Sequence, residues 1–237
     1  MLKDNWIIFD DKSSLSESLA KEILNIAKNS INKKGCFSIV LAGGKSPIEL
    51  YKILRKSLSN WDKWSIYIGD ERCLPVKDSE RNDYIIEKVW LDSSLIPKDN
   101  IYFIKAELGM SSSKKDYENI LKDITKFDVV LLSMGEDGHT ASLFPNHKHV
   151  EGSSVVLEFN SPKIPKERIS MSCSRLNKAK NVFKIIMGES KQEAISLWLD
   201  GRNLPINQIS GDNEKVYICK DALTKESLIE TDRMRYQ

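Results

Sequence analysis

The chain has 237 residues, 41% of them hydrophobic and 30% charged, the balance of a soluble globular protein able to bury a core. Its 36 lysines and arginines nearly cancel 34 aspartates and glutamates, and no stretch forms a basic block. The net charge of +2 therefore gives no reason to expect nucleic acid or a membrane as partner. The N-terminus carries no apolar leader-like region, and no apolar run approaches the roughly 20 residues a membrane helix needs, so a cytoplasmic protein is expected.

In chain order, strand-like and helix-like segments alternate. Trp6 to Phe9 is a short apolar run, followed by a helix over 13–32 with Leu15, Leu19, Ile23, Ile26 and Ala27 at helical spacing and Ser13 or Ser14 as its cap. Phe37 to Leu41 reads as a strand, and Pro47 suits the first position of a helix bearing Leu50, Tyr51 and Leu54. Trp64 to Ile68 is the next strand. Asn82 to Leu91 is helical, Ile101 to Ile104 a strand and Ser112 to Thr125 a helix. The run 127–132 is a buried strand with adjacent valines. Beyond it come strands at 155–159, 169–173, 182–187 and 216–219, with a helix at 191–200. Alternating βα units with no separating linker predict one domain over 1–237. The expected class is α/β: a three-layer, mainly parallel, Rossmann-like sheet with helices on both faces. The four cysteines (36, 73, 173 and 219) lack metal-type spacing, and Cys36 and Cys219 read as small buried hydrophobes in a reduced intracellular chain.

Four loops at strand ends carry chemistry, where open α/β sheets bind ligands. The first is Gly43-Gly44-Lys45-Ser46 before Pro47: glycines allow close backbone approach, and a helix start supplies N–H donors suited to phosphate. It matches neither a Walker A loop nor a dinucleotide turn. The second is Gly69-Asp70-Glu71-Arg72. Arg72 suits an oxyanion clamp; Asp70 suits either sugar hydroxyls or a neighbouring loop. The third, Gly135-Glu136-Asp137-Gly138-His139-Thr140-Ala141-Ser142, offers His139 as a base able to exchange protons near neutral pH. Asp137 would orient the imidazole or bind substrate. His147 and His149, the other two histidines, fall in a polar loop and read as surface residues. The fourth group is Arg168 at a strand start and Lys191 in a first helical turn, where a cation opposes the macrodipole unless it faces an anion.

Together these motifs, with the continuation Leu143-Phe144-Pro145, resemble the 6-phosphogluconolactonases of the glucosamine-6-phosphate isomerase/6-phosphogluconolactonase group over about residues 35 to 200. The resemblance implies a three-layer α/β fold and hydrolysis of 6-phospho-D-glucono-1,5-lactone, the second step of the pentose phosphate pathway, without metal or organic cofactor. It implies His139 as general base, with Asp137, and Gly43, Gly44, Lys45, Ser46, Asp70, Arg72, Arg168 and Lys191 as residues that bind phosphate and substrate or stabilise the oxyanion. The expected partner is the sugar-phosphate lactone alone, and the expected assembly a monomer or weak homodimer. The family's phosphate loop often reads Ser-Gly-Gly-Ser-Thr-Pro; here Lys45 stands in it, as an added phosphate contact or a solvent-facing side chain.

Two rivals are distinguishable. Glucosamine-6-phosphate deaminases share an Asp-Gly-His loop but continue towards Phe-Asn-Glu-Pro, with a glutamate that tunes the histidine; Phe144 occupies that aligned position here. Their Met-Asp-Glu-Tyr loop also differs from Gly69-Asp70-Glu71-Arg72. Sugar-phosphate sensors built on this fold carry a helix-turn-helix, and the first 35 residues offer one helix and no basic recognition segment.

Overall fold

A computed structural model describes residues 4–148 and 152–225. In chain order its elements are β1 (Trp6–Phe9), α1 (Lys12–Lys34), β2 (Phe37–Leu41), α2 (Ile48–Lys56), β3 (Trp64–Ile68), β4 (Asp70–Arg72), α3 (Asn82–Val89) and β5 (Ile101–Tyr102). They continue with α4 (Met110–Leu121), β6 (Phe127–Ser133), β7 (Val155–Glu158), β8 (Arg168–Met171), α5 (Cys173–Leu176), β9 (Ala179–Ile186), α6 (Gln192–Leu199) and β10 (Asn213–Cys219). Seven strands form one sheet in the order β1-β10-β9-β6-β2-β3-β5, every neighbouring pair parallel. This is the expected α/β class.

The central strand β6 shows why the sheet forms. Phe127, Val129, Val130, Leu131 and Leu132 are all buried, as a strand covered on both faces requires. Asp128 interrupts that run yet is only 1% exposed; its carboxylate takes Lys34 at 2.8 Å, Lys180 at 2.9 Å and the Ser38 N–H at 2.9 Å. Burial raises this carboxyl, but the two lysines and Ser38 outweigh it and hold it below the ordinary range.

Several details depart from the sequence reading, among them that the strand expected over 169–173 ends at Met171 and Cys173 opens α5. Asp11, not Ser13 or Ser14, caps α1, accepting from the Ser14 N–H at 2.8 Å; an ionised acceptor at the positive helix end is the stronger cap. β5 stops at Tyr102, before the expected end. Residues 70–72, read as loop, form a strand in a second, antiparallel sheet ordered β4-β8-β7. Alternation of apolar residues gives no sign of that strand, because its three residues are all charged and its pairing partner lies about a hundred positions away.

The site position follows from the strand order. From β2 the chain passes to β3 on one side, whereas β6 leads to β9 and β10 on the other. Loops leaving β2 and β6 therefore diverge and open a crevice at the carboxyl ends of the strands.

Candidate active site

A cleft of about 570 Å³ occupies this crevice. Gly43, Gly44, Lys45, Ser46, Asp70, Arg72, His139, Arg168 and Lys191, nine of the ten residues singled out from sequence, line it together. Asp137 does not line it and lies behind His139.

The histidine corner is tightly built. His139 Nδ1 bonds Asp137 Oδ1, which also accepts the His139 backbone N–H at 3.1 Å. Burial raises the Asp137 carboxyl, but the bonds to His139 and the imidazole's charge reverse this and bring it down to about 2. An ionised carboxylate only accepts, so Nδ1 carries the proton that faces it and Nε2 is turned away from Asp137. Asp137 thus fixes the ring through Nδ1 and the backbone N–H of the same residue. Gly135 makes room for the ring: a Cβ there would meet Nδ1 and Cε1 at 2.0 Å. Phe144 supports the other side, its ring centroid 4.6 Å from that of His139.

The antiparallel sheet supplies the arginine corner. Arg72 and Arg168 are direct cross-strand partners of β4 and β8, so their side chains leave the same face. Like charges placed opposite each other disfavour the pairing unless an anion lies between them. Burial lowers the Arg168 guanidinium below its ordinary value and Arg72 pushes the same way, against Asp70, Glu158 and Glu71. Arg168 Nε donates to the Pro165 carbonyl at 3.1 Å and Nη2 to the Lys163 carbonyl at 3.3 Å, and the guanidinium stands 5.7 Å from the Phe144 centroid. Arg72 Nη1 donates to the Glu80 carbonyl, while its buried Nε has no partner among the described residues.

Asp70 bonds two neighbouring segments. Its Oδ2 accepts from Ser142 Oγ at 2.6 Å and its Oδ1 from Asn82 Nδ2 at 3.3 Å, tying β4 to the histidine loop and to α3. Glu71, fully buried, accepts the N–H groups of Arg72 (2.7 Å), Asn82 (2.8 Å) and Asp83 (2.8 Å), and so holds the start of α3. Burial and Asp83 raise its carboxyl above the ordinary range despite those donors.

The glycine loop is anchored through its carbonyls. Tyr51 Oη donates to the Ala42 carbonyl at 2.7 Å and Ser133 Oγ to that of Gly43 at 3.1 Å. The N–H groups of Gly43, Gly44, Lys45 and Ser46 meet no acceptor among the described residues, leaving them available to an anion. Lys45 is an exposed residue at the cleft rim. Across the cleft Lys191 ends a short 3₁₀ turn leading into α6. Burial holds its ammonium below its ordinary value; Glu136 and Asp137 oppose this, while Lys163 adds to it.

Several lining residues escaped the sequence reading, Asn82 and Lys163 among them. Asn82 looks like an ordinary helix start, and Lys163 sits in a loop between prolines, paired with Glu136 at 3.6 Å. Neither carries a local signal; only the fold brings them in. His147 is exposed as expected, but its Nδ1 pairs with Glu158 Oε2 at 2.8 Å and its ring lies 5.7 Å from Phe144. His149 lies outside the described residues. Cys219 is buried as expected, whereas Cys36 is exposed, since it precedes β2 and falls outside the sheet.

A solved 6-phosphogluconolactonase from Thermotoga maritima superposes with a TM-score of 0.84 over 91% of this chain and 99% of its own, at 24% identity. A monomeric glucosamine-6-phosphate deaminase reaches 0.80 over 92% and 98%, at 19% identity, so the fold alone accommodates both. A rice protein (Oryza sativa subsp. indica) named probable 6-phosphogluconolactonase 2 is 32% identical over 209 residues, covering 80% of this chain and 75% of its own. Residues 10–218 match the family described as glucosamine-6-phosphate isomerases/6-phosphogluconolactonase. The chain belongs to that family.

Proposed function

We propose that the chain, acting as one α/β domain in the cytoplasm, hydrolyses 6-phospho-D-glucono-1,5-lactone to 6-phosphogluconate, the second step of the pentose phosphate pathway. The names of its relatives support this reading, and so does a cleft lined by Lys45, Arg72, Arg168 and Lys191 together with His139. In the reaction His139 Nε2 takes a proton from water as the water oxygen bonds to the lactone carbonyl carbon. The tetrahedral oxyanion then collapses, the bond from that carbon to the ring oxygen breaks, and the imidazolium returns the proton to the departing oxygen. Proton transfer of this kind contributes about 10²–10⁴-fold. Asp137 keeps Nδ1 protonated throughout, so the ring presents one basic nitrogen. The phosphate, remote from the reacting carbon, supplies binding energy that fixes the lactone. Gly43, Gly44, Lys45, Ser46, Arg72, Arg168 and Lys191 are the groups that hold it or stabilise the oxyanion, with Asp70 bracing the loops around them. The protein works as a monomer or weak homodimer.

The observation that carries the reading against a deaminase is Phe144 packed on His139 at 4.6 Å. An apolar ring there cannot tune the imidazole as a glutamate would for aldose–ketose proton transfer. The test is an assay with freshly made 6-phosphogluconolactone, coupled to 6-phosphogluconate dehydrogenase and corrected for spontaneous hydrolysis. Turnover above background is expected; ammonia release from glucosamine 6-phosphate without lactonase activity would reverse the assignment.

A further inference from the structure

Gly43 and Gly44 are glycines for different reasons. Gly44 has φ +85°, a backbone that L side chains rarely adopt, whereas Gly43 has no such constraint. A Cβ at Gly43 would instead lie 2.1 Å from Asn82 Oδ1, 2.4 Å from its Cγ and 2.6 Å from its Nδ2. The space that a side chain at position 43 would need is filled by the Asn82 amide.

That amide is held in one orientation. Nδ2 donates to the Asp70 carbonyl at 2.8 Å and to Asp70 Oδ1 at 3.3 Å, and the Asn82 N–H donates to Glu71 Oε1 at 2.8 Å. Nδ2 must therefore face β4, which directs Oδ1 at the glycine loop, where it is buried with no partner among the described residues. Buried acceptors without partners are uncommon, and each one in a native structure calls for a reason. Asn82 is 1% exposed, touches the loop from beneath and bonds the residue two positions before Arg72. It thus joins the glycine loop to the strand that carries the arginine.

We propose that Asn82 is a positioning residue that sets the Gly43–Gly44 backbone, relative to β4, for the substrate's phosphate. The proposal rests on the reading of the site as one for a phosphorylated lactone, and it assigns Gly43 a partner rather than a conformation.

The experiment compares Gly43→Ala, Asn82→Ala and the double variant, measuring kcat and KM for 6-phosphogluconolactone, inorganic phosphate affinity by calorimetry, and melting temperature. Each single variant is expected to raise KM and weaken phosphate by about tenfold, within the range for coupled neighbours, with kcat changed far less. The double variant should be no worse than Asn82→Ala alone, because the new methyl occupies the vacated space. Asn82→Asp keeps the volume but loses the donor and meets the Asp70 carboxylate, so it should be at least as impaired as Asn82→Ala. Should Asn82→Ala not fold, Asn82→Ser provides the second background, since its hydroxyl still reaches a donor role while freeing the space. The proposal is overturned if Gly43→Ala is equally damaging with and without Asn82, or if Asn82→Ala leaves KM and phosphate affinity unchanged. It is also overturned if wild type binds no phosphate. A wild type that binds phosphate but does not open the lactone sinks the hydrolase reading instead, and the phosphate affinities of the variants then decide the role of Asn82.

Discussion

The seven-strand parallel sheet delivers its chemical groups from loops beyond its strand ends, whereas the three-strand antiparallel sheet delivers Arg72 and Arg168 from within paired strands. The first arrangement places the imidazole: His139 stands on a short loop after β6, held by Asp137 and Phe144. The second places charge: two arginines are forced to share a face by backbone pairing, and Asp70 is consumed in bracing the loops beside them. Both sheets thus bring basic groups to one cleft, while the histidine comes from the parallel sheet alone. A substitution at His139 should change turnover, and a substitution at the paired arginines should change binding.

The largest effect tests the histidine side. His139→Ala should lower kcat for 6-phosphogluconolactone by about 10²–10⁴-fold with KM little changed. Near wild-type turnover in that variant would remove the general base from the mechanism. On the arginine side, Arg72→Ala and Arg168→Ala should each lower kcat/KM by about 10–100-fold, the loss of a hydrogen bond to a charged group at about 1.5–3 kcal/mol. The loss should be much smaller on unphosphorylated glucono-1,5-lactone, and an equal loss on both lactones would argue against a phosphate clamp.

A smaller effect probes the brace between the two sheets. Ser142→Ala removes a 2.6 Å bond and leaves a buried Asp70 oxygen short of a donor, so it should cost about 1–3 kcal/mol of stability in denaturant melts. The smallest effect concerns acid. Asp137 has its pKa lowered from 3.8 to about 2 in the folded protein, so its contribution to stability is present above pH 3.8 and is lost as pH falls towards 2. The melting temperatures of wild type and Asp137→Asn should accordingly converge over that interval. A gap that persists at pH 2 would mean that the Asp137–His139 pair is not what lowers the carboxyl.

Much of the fold was legible because burial on two faces leaves a mark in a short window. Runs such as 127–132 and 37–41 are mostly apolar, each broken by a single polar residue, and the helices between them repeat at helical spacing. Helix α1 was legible in the same way, although its cap was assigned to the wrong residue, since Asp11, Ser13 and Ser14 all qualify chemically and only backbone geometry chooses. Strand β4 was not legible: three charged residues show no period, and their strand character exists only through β8.

The same division runs through the site. The amino-acid sequence alone determined which groups stand at strand ends, because the chemistry of glycine, histidine, arginine and lysine after a buried strand is local. It was enough to nominate His139, the glycine loop, Arg72, Arg168 and Lys191. Tertiary structure decided how those groups divide their work. It tied Asp70 to Ser142 and Asn82, set Asp137 behind the imidazole, placed Arg72 opposite Arg168, and packed Asn82 against Gly43. Each of those relations joins residues through space, and a hydrogen bond or a steric contact acts over a few ångströms whatever the separation along the chain.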